Sequence, residues 1–356
     1  MTTLSERDLD RAVGDGIITD SQKNSLLQMV VDDARPYQQM AASDMPDEEP
    51  FELFQGFAEI FVALGIVILI GGVAGIVEFT VAEGLSPFFV LLLSAGLGHY
   101  YARHRRMTLP SIVSLIGVAA SLGWFMVGVF GVMSPDKYDT TLPVMLASLS
   151  SMAMMVWIYR KYRLPFTMFL AGLSALMALM AGAEIIVGSG GTSFFNDGFF
   201  DLRENPVVAV GVLMFGLVTL ALALRFDIRD PRRMGVSSKS AFWLHILAGP
   251  AIVNTVTVTL FNIGGTTGHV LTALMLVLTT FLSLVIDRRS FLTAGLIYIG
   301  AVLSIFTDVF GDSGLYVNAL IIGLLVTGLG TWWRGMRGIV MRSLPDFPGK
   351  GRLAPY

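Results

Sequence analysis

Apolar residues along this chain do not alternate; they gather into long runs separated by short polar connections. Ten such runs lie at Phe57 to Val77, Ser86 to Tyr101, Leu109 to Met133, Thr141 to Tyr159, Pro165 to Val187, Pro206 to Phe226, Ala241 to Phe261, His269 to Ile286, Phe291 to Phe310 and Tyr316 to Trp333. A helix needs ~20 largely apolar residues to cross a hydrocarbon core, and it satisfies its backbone polar groups within the segment. The pattern therefore predicts an all-α protein, a polytopic transmembrane helical bundle of ten spans. Prolines support the parse: Pro87, Pro110, Pro143, Pro165 and Pro206 stand near the start of a run, where a missing amide hydrogen costs little. Pro250 alone lies inside one.

Composition agrees, with 54% hydrophobic and 14% charged residues in 356. Charge placement adds an orientation. The connections after the second, fourth, sixth and eighth runs hold thirteen Lys and Arg residues, among them Arg105, Arg106, Arg163, Arg232, Arg233, Arg288 and Arg289. The five opposite connections hold two, Lys137 and Arg203. Short basic loops stay cytoplasmic, so both termini are expected in the cytoplasm. The first 56 residues are polar and show no secretory signal, which makes the first run an uncleaved anchor. There is no cysteine, which excludes disulfides, thiolate zinc sites and cysteine nucleophiles.

Four regions follow: a cytoplasmic helical hairpin over 1–40, an acidic linker over 41–56, the ten-span domain over 57–335 and a basic cytoplasmic tail over 336–356. In the hairpin Ser5 caps a first helix that Gly14 and Gly16 end, and Thr19 with Gln22 forms a capping box for a second. Twelve acidic and four basic side chains in residues 1–56 argue against nucleic acid. Contact with the chain's own cytoplasmic face, homo-oligomer formation or a protein partner suits the hairpin instead. In the tail, Arg334, Arg337 and Arg342 interleave with Met and Ile behind a Trp pair, a pattern for an in-plane helix on anionic lipids. Three inner turns, "RRMTLPSIVSLIG", "YRLPFTMFLAGLS" and "RRSFLTAGLIYIG", look alike. Each reads either as a plain basic anchor or as part of a duplicated helical hairpin.

The segment "DLDRAVGDGIITDSQ", followed by "DEEPFELFQGFAEIFVALGIVILIGG", resembles the opening of uncharacterised polytopic bacterial inner-membrane proteins that carry a short cytoplasmic helical hairpin before the first span. The resemblance covers mainly the first ~80 residues. It implies a bacterial inner membrane and carries over no functional residue.

Ionisable groups inside spans cost at least ~2.5 kcal/mol at the bilayer centre, so they are the first place to look for function. Glu184, in "LMAGAEIIVG", and Asp308, in "IFTDVF", stand near the outer ends of the fifth and ninth spans. Glu59 and Glu78 mark the two ends of the first and are expected at the interface. The seventh span, "HILAGPAIVNTVTVTLF", carries His245, Pro250, Asn254 and Thr257. Measured from Ala241, His245 lies ~6 Å deep and Pro250 close to the midplane. Pro250 deprives the Ile246 carbonyl of its partner and is expected to bend the helix. The freed carbonyl, Asn254 and Thr257 share a face suited to a cation or a polar solute. The same residue types also serve helix packing and interhelical hydrogen bonds, at ~0.6 kcal/mol each.

Ten acids against two basic residues give the outer face an attraction for cations. In its longest loop Asn196, Asp197 and Asp201 offer oxygen ligands, short of a full calcium set. No metal-ligand spacing, phosphate-cradling loop or nucleophile with its base occurs, and the serine of "GDSGL", Ser313, has no histidine nearby in sequence. No cofactor and no enzyme activity are expected. The expected role is a transporter or permease for a small solute or cation; the alternative is a non-catalytic membrane scaffold or assembly factor acting through residues 1–40.

Overall fold

The structure is a computed structural model that describes residues 11–25, 56–81, 84–133, 140–187, 199–230, 233, 235–307, 311, 313–345, 350 and 353, with the side chains at 133, 290, 294, 297 and 305–307 excepted. It divides into residues 1–48 and 49–356. In the first unit, residues 11–14 and 20–25 are helical, and the capping box is formed. Thr19 N donates to Gln22 Oε1 at 2.9 Å, and Gln22 N donates to Thr19 Oγ1 at 3.3 Å.

Every regular element in the described part of the second unit is helical: α1 (Phe57–Thr80), α2 (Ser86–Tyr100), α3 (Thr108–Met133), α4 (Thr141–Tyr162), α5 (Phe166–Val187), α6 (Pro206–Arg229), α7 (Val236–Phe261), α8 (Gly265–Ile286), α9 (Ser290–Thr307) and α10 (Gly314–Ser343). Eight of them are long and apolar enough to cross a membrane. The other two are α2, whose 15 residues continue into a π-helical turn at Tyr101–Arg105, and α9, whose apolar stretch is shorter. The chain is thus a helical, multi-pass type of membrane protein. Its outer surface bears large apolar side chains such as Phe79, Leu92, Trp124 and Val277, as a lipid-facing surface requires.

Successive helices pack as neighbours, and α7 also touches α5 and α9. It is the most enclosed of the eight, half buried, whereas α1 and α10 present most of their surface outward. This explains the polar content of α7. Ser238, Ser240, His245, Thr255 and Thr257 are all fully buried against other helices, where a hydroxyl or imidazole meets protein in place of hydrocarbon.

One sequence expectation about α7 is corrected. The helix begins at Val236, five residues before Ala241, because Asp230 caps it: its Oδ2 accepts from Gly235 N at 2.6 Å and from Ser238 N at 3.4 Å. His245 therefore stands nine residues into the helix, ~14 Å from its start. Pro250 does not interrupt α7, which runs as one helix through it. Close packing next to the proline holds it in place. A Cβ on Gly216 of α6 would lie 2.7 Å from Ile252 Cγ1 and 3.0 Å from Ala251 Cβ, so the two helices meet nearly backbone to backbone.

The three similar turns share a geometry. Arg106, Arg163 and Asp287 each end a helical segment in the left-handed region, at φ of 52°, 52° and 61°. The next helix starts within three residues each time.

Candidate functional site

At the end of the bundle that carries the basic turns, charged side chains close in on one another. Asp227 lies in the last turn of α6, His245 projects from α7, and Arg288 occupies the turn between α8 and α9. His245 Nε2 donates to Asp227 Oδ2 at 2.8 Å. Arg288 Nε donates to the same oxygen at 3.3 Å, and its Nη2 pairs with Oδ1. One carboxylate thus serves two cationic or potentially cationic groups. His245 and Arg288 are wholly buried, and Asp227 is 14% exposed.

The surroundings fix each group. Arg288 Nη2 also reaches Ser238 Oγ at 3.3 Å, the Arg288 carbonyl accepts from Ser283 Oγ, and Phe291 sets its ring edge-on to the imidazole, 6.0 Å between centroids. Because the carboxylate can only accept, the ring nitrogen facing it carries the hydrogen. That leaves Nδ1 of His245, and Nη1 of Arg288, buried without a hydrogen-bond partner among the described residues.

A second cluster adjoins it through the neighbouring residue, Asp287. Arg233 Nη1 pairs with Asp287 Oδ2 at 2.9 Å, and its Nη2 donates to the Asp287 carbonyl at 2.9 Å. Trp333 Nε1 donates to Asp287 Oδ1 at 2.7 Å, while Arg337 lies 3.7 Å from that oxygen and donates to the Leu284 carbonyl at 3.2 Å. Trp333 and Arg337 reach this position because α10 kinks at Trp332, whose φ and ψ of −101° and 15° are not helical. Beyond the kink Trp333, Arg337, Gly338 and Met341 form the buried face, and Trp332, Arg334, Ile339 and Arg342 the exposed one. Arg337, expected among lipid headgroups, points into the protein instead, because Asp287 and a helix-end carbonyl offer it a stronger partner than water does.

Of the six residues singled out from the sequence, His245 alone enters these clusters. Pro250 and Asn254 are half-buried further along α7, Thr257 is fully buried, and Glu184 is buried at 6% exposure in the last turns of α5. Asp308 lies outside the described residues, as do Asn196 and Asp197. Asp201 is occupied as a clamp: its carboxylate accepts from Arg203 N and Asn262 Nδ2, both at 2.8 Å, tying the segment before α6 to the end of α7. Glu59, in the first turn of α1, is buried against protein, and its Oε2 accepts from Leu109 N at 3.0 Å, capping α3 from α1. No group of three or more His, Cys, Asp or Glu side chains able to hold a metal ion occurs among the described residues.

Asp227 and Asp287 were not singled out by sequence, and Arg233, Arg288 and Trp333 stood out there only as basic and aromatic anchors. Their signal was an acid immediately past the end of an apolar run, in "LRFDIRD" and "VIDRRS", on the face where arginine dominates. Compared with family models, curated proteins and solved structures, the chain matches none.

Proposed function

We propose that the chain is a ten-span protein of the bacterial inner membrane, with both termini cytoplasmic, that moves a small solute or cation across it. In this reading the Asp227–His245–Arg288 cluster is the charge-bearing closure of the cytoplasmic end. The observation that carries the proposal is the sharing of one buried carboxylate between His245 and Arg288, held on α6, α7 and the α8–α9 turn. Ionisable groups enclosed in a helical membrane bundle are expensive, and they mark ion or proton pathways by default. A cation or proton arriving at Asp227 competes with both partners. His245 Nδ1 is the position open to a proton. Loosening either contact weakens the hold of the α6–α7 pair on the α8–α9 turn, which Arg233 also ties to the α6–α7 connection and which Trp333 and Arg337 fasten to α10. Such a shift follows only if the arriving ion binds the opened arrangement more strongly.

The test is flux into proteoliposomes under an imposed membrane potential, with H⁺, Na⁺ and K⁺ read by entrapped dyes. Wild-type protein should exceed protein-free vesicles for at least one ion. His245→Gln, which keeps a donor toward Asp227 but takes up no proton, should lose at least about tenfold, the scale of a ~1.4 kcal/mol change. Wild-type flux at the protein-free level for all three ions refutes the reading.

A scaffold or assembly role acting through residues 1–40 is the second reading. Deleting residues 1–40 would then abolish co-purification of a protein partner while the spans stay folded.

A further inference from the structure

The arginines at the end of the bundle that carries the basic turns fall into two groups. Arg233, Arg288 and Arg337 are drawn inward by Asp287 and Asp227. The turns after α2 and α4 offer no such partner: "YARHRRM" and "RKYRLP" carry Arg103, Arg105, Arg106, Arg160, Lys161 and Arg163 and not one Asp or Glu. All six are exposed. Arg105 Nε donates to Tyr100 OH at 3.2 Å, and Lys161 Nζ stands 4.8 Å from the centre of the Trp157 ring. The other four have no ion pair and no side-chain hydrogen bond among the described residues. Glu59 comes near at Leu109, but it is buried and occupied by that amide.

The fold makes one patch of the two turns. α3 and α4, both long and apolar enough to cross a membrane, run out and back between them, so the turns lie at the same end of the bundle. His99, in the last turn of α2, meets Tyr162, the last residue of α4, and Nδ1 and OH form a hydrogen bond at 2.8 Å. His104 sets its ring edge-on to that of His99, 5.9 Å between centroids. Aromatic rings give the patch a level. Trp157 and Tyr100, 54% and 43% exposed, stand near the ends of α4 and α2, and Trp and Tyr collect at the headgroup level of a bilayer. Cations at that level meet the phosphates of lipids.

We propose that the two turns form a site for one anionic phospholipid whose headgroup carries two phosphates, one held by Arg103, Arg105 and Arg106 and the other by Arg160, Lys161 and Arg163. Guanidinium forks match phosphate oxygens, and each Lys or Arg near an anionic surface strengthens the attraction about fivefold. Two phosphates on one molecule are favoured over two separate lipids, because binding the first holds the second at high effective concentration. The site goes beyond transport and depends neither on it nor on which leaflet the turns face.

The full chain in detergent is titrated with tetraoleoyl cardiolipin, with dioleoyl phosphatidylglycerol at matched phosphate and with dioleoyl phosphatidylcholine, and the lipid-bound species are resolved by native mass spectrometry. Cardiolipin should bind at least ~10-fold more tightly than phosphatidylglycerol per phosphate. Arg103→Gln and Arg160→Gln, one on each turn, should each lower cardiolipin affinity about fivefold, and Arg160→Lys, which keeps the charge, should retain most of it. Both positions are exposed and unpaired, so folding does not depend on them. Arg342→Gln, on the exposed face of α10, should bind cardiolipin as the wild type does. The proposal is overturned if cardiolipin binds no better than either other lipid, if either Gln variant on the two turns keeps wild-type affinity, or if Arg342→Gln loses as much as they do.

Discussion

Asp227 illustrates how much a single side chain is asked to do. It neutralises a buried guanidinium and orients a buried imidazole, so its removal strands both. Breaking a buried pair by deleting one partner costs ~3–5 kcal/mol, whereas replacing both with apolar groups of similar size is often neutral. Asp227→Asn is therefore expected to lower unfolding stability in detergent by roughly that amount, and adding Arg288→Met should recover most of it. Denaturant titration of the two single variants and the double variant reads the coupling, and a single variant within ~1 kcal/mol of wild type contradicts the geometry. Trp333→Phe makes a smaller demand. It removes a 2.7 Å hydrogen bond to the Asp287 carboxylate while keeping most of the apolar ring, and should cost ~1.5–3 kcal/mol by the same titration.

His245 was conspicuous in the sequence because it interrupts an apolar run; Asp227 was not, because it lies one residue beyond one, among arginines that suggest solvent. The difference is a matter of level. Asp227 stands two residues from the end of α6, His245 nine residues into α7, and only the stagger of the two helices brings them side by side. Hydropathy along the chain locates apolar stretches but carries no measure of stagger.

At the scale of the helix, the apolar runs and the prolines at their starts were legible, and α1 to α10 fall where the runs predict. The start of α7 was hidden because "VSSKS" reads as loop by polarity, whereas the Asp230 cap and burial against neighbours make it helix. At Pro250 the ring removes one hydrogen bond, and a helix held on several sides continues through it. Pro250→Ala should therefore leave both the circular dichroism and any flux of the reconstituted protein unchanged. A loss of flux would restore the proline to the mechanism. Gly216 is the stricter position. Gly216→Ala puts a methyl within 3.0 Å of Ala251 Cβ and closer still to Ile252, and should cost ~1–3 kcal/mol through overpacking. Gly71→Ala, with no atom within 4 Å of the added methyl, should be neutral or up to ~1 kcal/mol stabilising in the same unfolding assay.

At the scale of the whole molecule the open question is how many helices cross, and the absence of cysteine makes it directly testable, since any introduced thiol is the only one present. The two ends of α4 are exposed at Thr140 and Lys161 and lie ~32 Å apart along its axis, enough to face opposite sides of a bilayer. Ten crossings with a cytoplasmic N-terminus put Thr140 outside, and Lys161, beside Arg160 and Arg163, inside. Ser343, exposed at the end of α10, is inside as well. A membrane-impermeant maleimide should then label Thr140→Cys in intact cells, and Lys161→Cys and Ser343→Cys only after permeabilisation. If α2 and α9 both fail to cross, eight helices remain, and Ser343 still faces inward, so the C-terminus alone does not decide. The two ends of α4 do, because losing α2 inverts that helix and puts Arg160, Lys161 and Arg163 on the outer face. Labelling of Lys161→Cys in intact cells would show that inversion, set the chain against the positive-inside rule, and remove the Asp227 cluster from the cytoplasmic end.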